Sequence, residues 1–200
     1  QTVTFLLDCE KAGINAHQFS MADTTTEVLR RVREHGSSMN FFGLHAGRES
    51  LEQVIQDTQP FALVHHGGVT DRLCQEGKSQ EVHDYVKDVH DRGLLAGVSA
   101  HNPDCIRKIA DEGWEVDFFM CCFYFLTRPH SATEGGTTAP EMLQIAYPFY
   151  RADPTVMTGV MREVDQPCLG FKILGAGRLC DSQETVRNAF RFAFENIKPK

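Results

Sequence analysis

Apolar residues along this chain fall into short runs that alternate with longer stretches of helical spacing. TVTFLLDCEKAG predicts a helix stopped at Gly13, and INAHQFS (14–20) predicts a strand. TTTEVLRRVREHG reads as a helix with threonines placed to cap it and Gly36 to end it. NFFGLHA (40–46) is the next strand and RESLEQVIQDT the next helix. FALVHHGG (61–68) leads through a long polar loop into SQEVHDYVKDVHDRG, where Val82, Tyr85, Val86 and Val89 form a stripe at helical spacing. LLAGVSA (94–100) is a strand, and HNPDCIRKIADEG a helix with Asn102 at its N-cap and Pro103 at its first position. VDFFMCCFYFL (116–126) is almost continuously apolar, as a strand covered on both faces should be. PTVMTGVMREVD then predicts a helix, PCLGFKILGAG (167–177) a strand, and SQETVRNAFRFAFENI the final helix.

Short strands alternating with helices are the signature of βαβ units and a parallel sheet. A closed barrel of such units needs eight strands and typically about 250 residues. Six strands are legible in 200 residues, and the pattern begins and ends on a helix. The expected fold is therefore an α/β, TIM-type (β/α)8 barrel seen as an incomplete segment, about strands 2–7, in one domain over 1–200. An open doubly wound sheet is the alternative, weakened by the lack of a G-x-G-x-x-G after the first strand. The stretch 127–150, TRPHSATEGGTTAPEMLQIAYPFY, is a candidate lid insertion.

Composition narrows the partners. The chain is 42% hydrophobic and carries a formal charge of −7, so a real core is affordable while a nucleic-acid or anionic-membrane partner is not expected. No run approaches the roughly 18 apolar residues that a membrane span requires, and the first residues do not resemble a signal peptide. The seven cysteines include no C-x-x-C pair. Reduced thiols and a cytoplasmic location are the economical reading.

Histidines end several of the apolar runs: His17, His45, His65, His66 and His101. In parallel α/β folds the carboxyl ends of the strands hold the active site. Neutral imidazoles there could ligate zinc through His17, His45, His65 and His101. Alternatively one acts as acid/base and the others bind substrate oxygens. Lacking a carboxylate at these strand ends, the metal-free reading is preferred. Only one of His65 and His66 can point into the barrel mouth, because strand side chains alternate. Lys172, in an apolar strand, could stabilise a substrate anion or enolate. The glycines of HHGGVTD and LGAGR could let backbone N–H groups approach a phosphate or carboxylate, aided by Arg178. Cys121 and Cys122, flanked by FFM and FYF, read as packed thiols rather than nucleophiles.

The ordered string GINAHQFS, ALVHHGG, GLLAGVSAHNPDCIRKI, VDFFMCCFY and FKILGAGRL resembles the middle of an aldo/keto reductase barrel, and most closely bacterial barrel proteins labelled as like that family. The resemblance covers roughly residues 5–198, carried by order and spacing. It implies that INAHQFS is strand two, FALVHH strand four and LLAGVS strand five. Of the family's Asp, Tyr, Lys and His, only the strand-four His carries over, as His65. Gln18 stands at the Asp position, no Tyr follows it, and the Lys position falls near His45. The resemblance thus implies His65 as the inward imidazole and leaves His66 to the helix layer or loop.

The expectation is an enzyme acting on a small polar carbonyl or hydroxyl metabolite, such as a sugar derivative. His65 and Lys172 would be catalytic, and His17, Gln18, His45, His66, His101 and Arg178 would bind substrate. A divergent NADP-dependent reductase, with cofactor contacts at Ser99, Asn102, Gly175 and Gly177, is one alternative. A metal-dependent lyase, isomerase or hydrolase and a catalytically inactive barrel are the others.

Overall fold

The computed structural model describes residues 1–128 and 149–198. Six strands, β1 (Ala16–Ser20), β2 (Asn40–His45), β3 (Ala62–His65), β4 (Leu95–Ala100), β5 (Phe118–Cys122) and β6 (Cys168–Phe171), form one sheet. All neighbours pair in parallel, and their order is the order of the chain. A doubly wound sheet must reverse its strand order at some point. This sheet never does, and it curls into a half-barrel.

Eight helices accompany the strands among the described residues: α1 (Thr2–Lys11), α2 (Thr25–Glu34), α3 (Leu51–Thr58), α4 (Gly67–Gln75), α5 (Gln80–His90), α6 (Pro103–Asp111), α7 (Asp153–Glu163) and α8 (Gln183–Asn196). Helices α3 to α8 all contribute buried residues to one core on the convex face of the sheet. The stripe on α5 buries Val82, Tyr85, Val86 and Val89 completely. Each such side chain contributes about 1.5–3 kcal/mol of burial. They pack with Leu63, Ala96, Val98, Phe119 and Cys121 from the sheet. A second cluster lies on the concave face, where Phe42, Ala62, Val64, Phe118 and Met120 meet. Gly97 makes room there: a Cβ at that position would come within 2.6 Å of the Phe118 ring.

Two of the expected elements are drawn differently. The stretch after FALVHH is not a long loop. Gly67 and Gly68 open α4 directly, with His66 at its N-cap. A helix rather than a polar connection therefore carries Thr70 and Asp71. Lys172, expected within the last strand, lies just beyond β6 with φ +57°, a left-handed backbone that a residue with a Cβ adopts only under constraint. Asn102 caps α6 as expected, its side-chain oxygen accepting from the Asp104 N–H at 3.0 Å. The threonines before α2 do not cap it in the usual way. Thr25 Oγ1 instead accepts from Ala22 N–H and donates to the Ser20 carbonyl, tying the helix start to the end of β1. Most of the candidate lid, residues 129–148, lies outside the described residues.

Candidate active site

Strand parity decides which histidines can meet. On β3, Leu63 and His65 share the convex face, whereas Ala62 and Val64 share the concave one. His65 accordingly packs edge-on against Tyr85 of α5, with ring centroids 4.9 Å apart, and its Nδ1 is 2.7 Å from Thr70 Oγ1 of α4. This corrects the expectation that His65 faces the mouth and His66 the helix layer. His45 is the register partner of His65 and faces the same layer, its Nε2 3.0 Å from Ser50 Oγ. His17 also faces the helix layer, edge-on to Phe41.

Nor are the histidines at one level. His17 pairs with Phe41, four residues before His45, so it lies about 13 Å lower at the rise of a parallel strand. His65 pairs with Val98, three residues before His101. The metal set His17, His45, His65 and His101 is not brought together. Among the described residues no group of His, Cys, Asp and Glu converges as a metal site.

What does converge is Asp71, His101 and Lys172. Asp71 comes from the first turns of α4 after β3, His101 follows β4 and Lys172 follows β6, so three separate segments deliver them to the strand ends. The Asp71 side chain is 1% exposed. Its Oδ2 accepts from His101 N–H at 3.0 Å, from the His101 ring at Nδ1, also 3.0 Å, and from Thr127 Oγ1 at 2.9 Å. Its Oδ1 accepts from Asn102 N–H at 3.1 Å. A carboxylate can only accept, so these contacts place the imidazole proton on Nδ1 and leave Nε2 with a free lone pair. That lone pair faces Lys172 Nζ at 3.4 Å. The ammonium also lies 5.4 Å from the centroid of Phe171. The left-handed turn at Lys172 is what swings the side chain back across the strand ends, with Gly175 N–H donating to the Lys172 carbonyl at 2.8 Å.

His66 stands exposed at the N-cap of α4. Partial desolvation holds its pKa below the ordinary imidazole value, the Lys172 ammonium adds to the shift, and Asp71 opposes it. Cys122 lines a small cavity beside His101, about 50 Å³, with Phe125, Arg128 and Asp153 around it. Burial pushes its thiol up to about 12, consistent with a packed, protonated side chain. Arg128, on the wall of that cavity, is itself held in place. Its Nη2 donates to Asp153 Oδ1 at 2.7 Å, and its guanidinium lies over the rings of Phe125 and Tyr150.

The remaining expected residues lie apart from this set and make local contacts. Gln18 Nε2 donates to the neighbouring Phe19 carbonyl at 2.6 Å. Arg178 stacks on Phe149 and donates to the Gly175 carbonyl. Ser99 is buried against Gly67, where a Cβ would come within 2.8 Å of its Oγ, and the Asn102 oxygen is taken by the cap of α6. Gly175 and Gly177 shape a tight turn at φ +57° and +91°.

Sequence reasoning missed Asp71 and Thr127. Asp71 left a signal: Gly67, Thr70, Asp71 and Cys74 stand at i, i+3, i+4 and i+7, so a helix there places an acid on the buried stripe. Thr127 left none. No family model matches the chain, and no curated protein matches it.

Proposed function

We propose that the protein is an enzyme that moves a proton at the carbon beside a carbonyl in a small polar metabolite, such as a sugar derivative. The observation that carries this is the aligned set Asp71 Oδ2, His101 Nδ1 and Nε2, and Lys172 Nζ. Asp71 holds the imidazole in one tautomer and orientation, and His101 Nε2 is the general base. A substrate carbonyl oxygen takes over the Lys172 N–H that Nε2 accepts in the free protein. The ammonium then stabilises the negative charge that gathers on that oxygen as the C–H proton leaves. His101 returns the proton to the neighbouring carbon or to a departing hydroxyl.

His101 thus takes the role first expected of His65, and Lys172 keeps its own. The half-barrel is read as part of a closed eight-stranded barrel, in which strand ends are the usual seat of catalysis. The resemblance to aldo/keto reductases supports the carbonyl substrate class but not hydride transfer. Seven free thiols support a cytoplasmic location.

The test is deuterium exchange. The purified protein is incubated in D₂O with a panel of aldoses, ketoses and 2-oxo acids, and the C–H signals beside each carbonyl are followed by NMR. At least one panel member should lose its signal with the wild-type protein and retain it with His101→Gln. A panel wholly unaffected by the folded wild-type protein, or exchange that survives the substitution, defeats the proposal.

A further inference from the structure

The helix layer holds two thiols that the site above does not use. Cys74 lies on α4 three residues beyond Asp71, and Cys105 lies in the first turn of α6 three residues beyond Asn102. The two helices pack together, and that contact brings the two thiols side by side. Both line one open cleft of about 180 Å³, with Asn102, Asp104 and Lys108 among its other walls. Cys74 is half-buried, whereas Cys105 is 3% exposed.

The two sulfurs differ in access, Cys74 being half-buried and Cys105 buried. The neighbouring Cys105 thiol, aided by the Lys108 ammonium, holds the Cys74 thiol below its ordinary range. The same contact, together with burial, pushes Cys105 upward. An accessible sulfur beside a buried neighbouring thiol is the arrangement of an attacking and a resolving cysteine. Cys121 and Cys168 make a similar contact between β5 and β6, but Cys121 is completely buried in the core.

We propose that Cys74 and Cys105 are a reversible redox pair, which a peroxide closes into a disulfide joining α4 to α6. The Cys74 sulfur attacks the O–O bond of hydrogen peroxide, giving a sulfenic acid on Cys74 and one water. The Cys105 sulfur displaces the hydroxyl, which leaves with the Cys105 proton as a second water while the S–S bond forms. Two thiols lose two electrons and the peroxide gains them. The new bond runs beside the Asp71 contacts to His101 and Asn102, which tie the same helix to the same junction.

Peptide mapping after treatment with equimolar hydrogen peroxide tests this. The wild-type protein should lose the mass of two hydrogen atoms, yield a cross-linked Cys74–Cys105 peptide, and recover with dithiothreitol. Cys105→Ala should stop at a dimedone-trappable sulfenic acid on Cys74, and Cys74→Ser should leave Cys105 unmodified. In the folded protein Cys74 should react about 10-fold faster than exposed Cys180, and in urea the two should react alike. Cys180 reacting first in the folded protein, or a bond mapped to any other pair, overturns the proposal. The wild-type map decides the matter even if a variant does not fold.

Discussion

Two polar clusters sit at the strand ends, one on each face of the sheet, and both are built around histidine. On the convex face His45 and His65 pack with Ser50, Thr70 and Tyr85, neutral partners throughout. Tyr85 is wholly buried, its hydroxyl has no hydrogen-bond partner among the described residues, and burial drives its pKa up. On the concave face His101 stands between a carboxylate and an ammonium. Burial alone does not separate the clusters, since His65 and His101 are both buried. The partners do. Neutral hydroxyls and an aromatic ring favour an uncharged imidazole and hold the fold together. A carboxylate at one nitrogen and an ammonium at the other are what the proposed proton transfer at His101 uses.

The sharpest way to break this comparison is to exchange the two histidines' fates. His101→Gln should lower the deuterium exchange by about 1,000-fold, within the range for a positioned general base, while the melting temperature changes little. His65→Gln should do the reverse, leaving exchange within a few-fold and lowering the melting temperature. Comparable exchange losses from both would show that the faces are not functionally distinct.

The next effect is on stability against pH. Burial holds His65 down at about 4 from its ordinary 6.5, with His66 and His45 adding to the shift. Between those values the unfolded chain binds a proton that the folded one refuses. The stabilisation is complete above about pH 6.5 and lost as the pH falls towards 4, a difference of about 3 kcal/mol. Urea titrations across that window should show the slope in the wild type and a shallower one in His65→Gln. Equal slopes would remove His65 from the helix-layer cluster as a buried neutral base.

Lys172→Met keeps most of the apolar stem and removes the charge. Exchange should fall by about 100-fold, the scale of one lost electrostatic stabiliser, in a protein that stays folded by circular dichroism. A variant that unfolds while its folded fraction remains fully active would make the lysine structural.

The smallest effect concerns Gly67, which separates the clusters at the start of α4. A Cβ there would stand 2.8 Å from Ser99 Oγ and 3.3 Å from His101 Cε1. Gly67→Ala should cost about 1 kcal/mol in chemical denaturation, as mild overpacking does, and shift the His101 ring signals in an NMR spectrum. Unmoved His101 signals would mean that α4 does not set the imidazole's position.

The alternation of apolar runs and helical stripes determined six parallel strands, their helices and the buried stripe of α5, because period two and period 3.6 are local properties of a chain. Alternation also determined that His65 and His66 point to opposite faces. Which of them faces inward was decided only by the tertiary structure, since the face is set by what Leu63 and Val64 pack against rather than by the residues themselves. The same holds for level: His17, His45 and His101 all end apolar runs, yet pairing register places them residues apart. Asp71 stands 30 residues before His101, and Lys172 stands 71 residues after it. No local pattern links positions so far apart. Their meeting depends on the strand order, on α4 beginning without a loop, and on the left-handed turn at Lys172, all of which form only when the sheet assembles.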